Sequence, residues 1–400
     1  MRSWNSFFKP QWFILIVLFT LALVLGGCNQ AAPEPTATPT KTPRAEPVAP
    51  ATPMPTATPT ATVEPTATPT PGPTETPTAT PQPSVIVPAQ DPNVAPFTGL
   101  APSDPAVLTR RPIAVKVANT ENVRPQHGLN KADVVIEQRV EFGLTRMTAI
   151  YHSQDAEKVG SIRSARLPDL EWPVIFDSVL AFSGGVQPVR TKLYESDFAE
   201  RVLEQARNGA AFIRDRSVSV PHNLFANTAT LWNVAQQRGW NKRPEPTAAW
   251  AFSPAAPAGG RPVTNLKVPY PAGTDRVEWR YDAGSGRWLR WQGGAAQTDA
   301  LDGQQLSAAN VVVLGANHVP TLILEHGTVD RGVNRSIEIQ VWGEGPLTVY
   351  RDGQAYSGKW VRQGRQEPFV FVGADGQPLL LKPGNTWIEV VPLDMQVTAQ

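Results

Sequence analysis

Arginine presents a planar fork of donors that grips carboxylate or phosphate with two parallel hydrogen bonds. Two short stretches of this 400-residue chain concentrate it: "GSIRSAR" carries Arg163 and Arg166, and "IRDRSVSVPHN" carries Arg214 and Arg216 with His222 and Asn223. Between them lies Ser183-Gly184-Gly185, after a β-type run, where a backbone can approach a ligand closely. A site built from these residues suits an anionic ligand such as a peptide carboxylate, an anionic glycan or a polymer phosphate. A plainer arrangement uses the same residues: Asp215 pairs with neighbouring arginines at the surface, each pair worth about 0–1 kcal/mol, and His222 orders its loop after Pro221.

For catalysis the candidates are His222 with Asp215 or Glu137, because a histidine near its ordinary pKa of about 6.5 is a usable general base. Glu137 and Glu141 stand four apart on an expected strand and so share a face. They are either an acid–base pair of the kind that cleaves glycans or a solvated edge. No complete catalytic set emerges. There is no Gly-x-Ser-x-Gly elbow, and "GSIRS" lacks the second glycine. The five histidines are scattered, with no His-x-x-x-His spacing, so no metal site is expected. Walker and dinucleotide glycine patterns are absent, and no cofactor is expected.

The elements that must position these residues differ along the chain. Within 93–245, the β-branched runs "PIAVKVAN", "ADVVIEQRVEFG" and "LTRMTAIYHS" read as strands, and "DSVLAFSGG" as a short buried one. The stretch 187–206 has a helical stripe, and 228–239 reads as a helix with a threonine start and a glycine stop. This predicts an α/β or α+β N-terminal domain. Residues 246–262, rich in Pro, Ala and Gly, read as a linker. Within 263–397 the runs are short and β-rich, with Asp-Gly, Ala-Gly and Gly-Gly turns, predicting a mostly antiparallel β C-terminal domain. Its tryptophans Trp279, Trp288 and Trp291 alternate with arginines, as one inward-packed face or as a sugar-stacking surface.

Ahead of residue 93 no core can form. Arg2 and Lys9 precede the apolar run "WFILIVLFTLALVL", followed by Leu25-Gly26-Gly27-Cys28, the only cysteine of the chain. A basic start, a short apolar run and small residues describe a secretory signal over 1–27, and the four residues ending at Cys28 resemble a bacterial lipobox. Cys28 is therefore the expected lipidation site, and two or more acyl chains anchor stably. Residues 28–92 then form a disordered stalk rich in Pro and Thr. Fully extended at about 3.1 Å per residue, it reaches on the order of 190 Å. The net charge of +1 gives no footprint for nucleic acid.

The stretches "PFTGL", "RRPIAVKVAN", "RPQHGLNKADVVIE", "VGSIRSAR", "IRDRSVSVPHNLF", "EWRYDAGSGRWLRWQGG" and "GNTWIEVV" occur in that order over residues 96–391. They resemble the YerB-like bacterial lipoproteins, a domain-of-unknown-function family with an N-terminal and a C-terminal domain. The resemblance implies an envelope protein and a two-domain body, and no established reaction. The long Pro–Thr stalk departs from the short spacer the resemblance implies.

The expectation is a lipid-anchored protein on the extracytoplasmic face of the bacterial membrane, leaning away from catalysis. Its candidate partners are the membrane through Cys28, peptidoglycan or a wall polymer, and a cell-wall enzyme for which it serves as scaffold. The alternative is a wall-acting hydrolase or transferase using His222.

Overall fold

A computed structural model describes residues 86–272 and 276–400. The expected signal, Cys28 and most of the stalk lie outside the described residues. The β-branched runs form strands β1 (Ile113–Ala118), β2 (Val134–Arg139) and β3 (Thr145–Tyr151). β1 and β3 are buried along their whole length, and the polar side chains they carry are satisfied inside, as where Lys116 of β1 donates to Asp169 at 2.8 Å and to Thr148 of β3 at 2.9 Å. β3 pairs antiparallel with both β1 and β2. After β4 (Val159–Gly160) and helix α1 (Trp172–Ile175), β5 (Val179–Phe182) runs parallel to β1.

Helix α2 (Gln187–Tyr194) crosses to β6 (Val202–Glu204), parallel to β5. The helical stripe expected over 187–206 thus stops at Tyr194. Val202 and Leu203 are strand residues in register with Leu180 and Ala181. Buried pairing at a sheet edge outweighs a spacing that suits either structure. β7 (Ile213–Arg214) and β8 (Leu224–Ala226) join β4 in a small three-stranded sheet, and α3 (Thr228–Gln237) follows. The cap of α3 is Asn227, whose side chain accepts from Ala229 N at 2.8 Å. Thr228 instead donates its hydroxyl to Ala156 O.

The stretch expected as a linker carries β9 (Ala251–Phe252) and β10 (Arg261–Pro262). Trp250 within it is buried and stacks on Phe371 at 5.0 Å. An apolar ring among the prolines and alanines turns this stretch from a spacer into a packed strap.

Beyond it, β11 (Asn265–Pro269), β12 (Arg276–Asp282), β13 (Arg287–Gln292), β14 (Ala295–Ala296) and β15 (Ser307–Ala308) build an antiparallel sheet. The long β16 (Asn310–Leu324) forms a hairpin arm with β17 (Arg335–Gln340). There follow β18 (Gly343–Arg351), β19 (Gln354–Arg362), β20 (Val370–Gly373), β21 (Leu380–Leu381), β22 (Thr386–Pro392) and β23 (Thr398–Ala399).

The larger sheet runs β10-β19-β18-β16-β22-β2-β3-β1-β5-β6, and β22 lies between β16 and β2, parallel to both. Strands from both sides of residues 246–262 therefore share one sheet, and the described residues form one compact unit. One face of this sheet packs on the antiparallel sheet through Trp279, Trp288 and Trp387; the other covers Trp172, Trp250 and Trp360.

Candidate functional site

β1, β5 and β6 run parallel, so their carboxyl ends lie along one margin of the sheet. In open sheets of this kind ligands bind beyond the carboxyl ends, where chain order switches direction. Here the protein's own segment 161–165 fills that gap. Ala118 N donates to Ser161 O at 2.9 Å and Arg163 N to Lys116 O at 2.9 Å; on the other side Ser183 N donates to Arg163 O at 3.0 Å and Ala165 N to Gly184 O at 2.9 Å. The Ser183–Gly185 turn thus lies directly against Arg163. The conformation of segment 161–165 is further held by Arg146, which donates to Ser164 O at 2.7 Å. No spacing in the sequence pointed to Arg146.

The half-buried side chain of Arg163 reaches Pro221 O at 3.3 Å, in the loop that connects β7 to β8. The same loop supplies His222, whose Nε2 accepts from Asn122 Nδ2 at 2.8 Å. Burial, then the charge of Arg163, lowers the His222 pKa below its ordinary value. Arg214 donates to Asn223 Oδ1 at 2.7 Å and to Gln205 Oε1 at 3.3 Å, just beyond the end of β6. Arg163, Ser183, Gly184, Arg214, His222 and Asn223 are thereby linked through short contacts along the carboxyl margin. Gly185 continues the same turn, and Arg216 is exposed in the loop.

Arg166 departs from the expected site. It is buried, and its guanidinium pairs with Glu141 and with Glu325 at 3.1 Å. Glu141 lies outside β2, in a 3-10 turn (Glu141–Gly143), and is also buried. The two glutamates expected on one strand face therefore serve different clusters, and neither is a solvated edge. Burial alone would raise the Glu141 carboxyl, but hydrogen bonds from Arg166 and the charges of Arg146 and Arg166 hold it at about 2.

The catalytic set expected around His222 is not assembled. Asp215 accepts from Lys158 Nζ at 2.7 Å and from Ser217 Oγ at 2.6 Å, and these bonds hold its carboxyl below the usual range. Glu137 is fully buried, where it accepts from Asn119 at 2.8 Å, Thr145 at 2.7 Å and Arg290. Beside it on β22, in register, lies Glu389, which accepts from Arg290 at 2.8 Å, Trp279 at 2.9 Å and Tyr270 at 3.0 Å. This pair of carboxylates shares one arginine in the interior, between the two sheets, where no substrate reaches it. Among the described residues no cluster of His, Cys, Asp and Glu has the arrangement of a metal site.

The body is β-rich, with β1, β5 and β6 parallel in a mixed sheet, and comparisons place the chain in a family. Residues 97–241 match the family described as "Protein of unknown function (DUF3048) N-terminal domain", and residues 266–388 match its C-terminal domain. A Bacillus subtilis (strain 168) protein described as "Putative lipoprotein YerB" is 32% identical over 301 residues, spanning 74% of this chain and 86% of that one. The crystal structure of the YerB protein from Bacillus subtilis superposes with a TM-score of 0.64 at 30% identity, covering 76% of this chain and 99% of that one. The chain belongs to the DUF3048 family of YerB-like proteins. Among the described residues no helix is long and apolar enough to cross a membrane.

Proposed function

We propose that this protein is a lipid-anchored envelope lipoprotein that binds an anionic wall ligand along the margin formed by Arg163, Arg214 and His222. The observation that carries the reading is how the two arginines are held. Arg163 and Arg214 are positioned by neutral acceptors, the carbonyl of Pro221 and the side chains of Asn223 and Gln205. Neither has a carboxylate partner among the described residues, whereas the nearby Arg166 and Arg190 are paired with Glu141 and Glu204. A guanidinium fixed by neutral groups keeps its full charge and its spare donors for an incoming anion.

Anchoring is supported by Cys28 and by the description of the Bacillus subtilis relative as a lipoprotein. The acyl chains hold the body at the outer face of the membrane, and the stalk gives it reach toward the wall. Binding needs no turnover, in keeping with a His222 that is not hydrogen bonded to Asp215 or Glu137.

The test is co-sedimentation of the full chain, in detergent, with purified peptidoglycan carrying or lacking its anionic polymer. Retention that depends on the polymer, and that drops about tenfold in Arg163→Gln and Arg214→Gln, supports the reading. Equal retention on stripped wall, or unchanged retention in both variants, sinks it. Replacing Cys28 with serine is expected to abolish palmitate labelling and to release the protein from the membrane fraction.

A further inference from the structure

The arm formed by β16 and β17 turns back over the segment that follows β2. Phe142 N donates to Val333 O at 2.7 Å, which ties the Glu141–Gly143 turn to the arm. Between them lies a hollow of about 330 Å³, lined by Phe142, His326, Val329, Arg331 and Asn334. That size falls at the lower end of small-molecule sites, about 300–1,000 Å³.

Asn334 holds the loop of the arm, donating to His326 O at 2.8 Å and to Val329 O at 3.0 Å, and the other lining side chains face the hollow around it. Phe142 has φ of 61°, the left-handed region that a bulky side chain avoids, yet its residue is 41% exposed. Strain of this kind collects at sites that hold ligands. Val329 and Val333 are 67% and 58% exposed beside it. The His326 ring lies 5.6 Å from that of Phe142, and its Nε2 is 3.4 Å from the buried carboxylate of Glu141, which orients it. Arg331 is exposed, and its guanidinium has no ion-pair partner among the described residues, since the adjacent Asp330 pairs with Arg335.

We infer that this hollow is a second recognition site, separate from the Arg163 margin, for a small apolar carboxylate of the kind found at the carboxyl end of a peptide. The carboxylate lies against Arg331 and His326, and the apolar side chain against Phe142 and Val329. A bare inorganic anion would leave the ring and the valine in water, whereas an apolar group removes them from it at about 25 cal/mol per Å². The positive edge formed by Arg331 and the open, aromatic floor are complementary to that pairing of charge and oil.

The experiment is isothermal titration calorimetry on the full chain in detergent, with acetyl-Ala-Ala-Phe bearing a free carboxylate and with the same peptide amidated. The free acid is expected to bind, and the amide about tenfold more weakly or worse. Arg331→Gln and Phe142→Ala should each weaken the acid about tenfold. Val329→Asp, at an exposed position that leaves the fold intact, should abolish binding. Arg163→Gln should leave it unchanged, so failure here is distinguishable from failure of the wall-binding reading. Equal binding of acid and amide, competition by inorganic phosphate at equal affinity, no binding at millimolar peptide, or full binding by Val329→Asp would each overturn the inference.

Discussion

Phe142 is the residue at which local chemistry and the fold disagree most openly. A left-handed conformation costs an L-residue roughly 1–2 kcal/mol, a penalty that glycine escapes. Phe142→Gly and Phe142→Ala both delete the ring, so their comparison isolates the backbone. The glycine variant is expected to be more stable by about 1 kcal/mol in urea unfolding, and an alanine variant equal to it would mean the turn relaxes. Arg163 shows the complementary case. Its residue type announced an anion site, yet Arg166, three positions on, was equally eligible and is buried against Glu141 and Glu325. No local signal separates the two, because each guanidinium is decided by which carboxylates the fold brings near.

At the scale of elements, β-branched runs became strands where expected, since Val and Ile suit a pleated, buried surface whatever lies beside it. The helical stripe over 187–206 misled because Val202 and Leu203 fit either spacing, and the open edge of β5 decided between them. The cap of α3 was off by one position: Asn227 accepts from the first-turn amides while Thr228 bonds to Ala156. Asn227→Ala should therefore cost about 1 kcal/mol, read as a lower midpoint in chemical denaturation. No change would mean that water or another group caps the helix as well.

For the whole molecule, the deciding feature is the buried group in which Arg290 of β13 meets Glu137 of β2 and Glu389 of β22. Arg290 and Glu137 are 153 positions apart in sequence. Removing the arginine leaves two carboxylates without their cation, so Arg290→Met should cost about 3–5 kcal/mol near pH 8. Burial first, and then the charge of Glu137, pushes the Glu389 carboxyl up to about 7 from 4.5. Between those values the folded chain keeps a proton that the unfolded chain has released, so this group's contribution to stability falls as pH rises through the window. His152 acts the other way. Burial holds it at about 4 against 6.5, so its contribution is lost as pH falls across that range. Comparing the parent with Glu389→Gln cancels the His152 contribution. The stability of the parent minus that of Glu389→Gln should fall as pH rises from 4.5 to 7, as followed by thermal unfolding, because only the parent's side chain ionises there; a difference independent of pH would rule out the proton on Glu389. The cost of Arg290→Met should shrink as pH falls from about 8 toward 4.5, because a protonated Glu389 no longer needs the cation.

What the sequence determined by itself is what depends on neighbours along the chain. Apolar runs of β-branched residues became strands, and the ordered stretches from 96 to 391 carried the family resemblance. The lipobox-like end at Cys28 and the proline–threonine tract belong to the same local order of information. Only the tertiary structure decided which arginines are spent in pairs and which remain free. It also decided that the supposed linker is a packed strap, and that Glu137 faces an arginine of the other half rather than solvent. The physical reason is range: conformational preference is set within a few residues, whereas the fate of a charge is set by whatever folding places within a few ångströms of it.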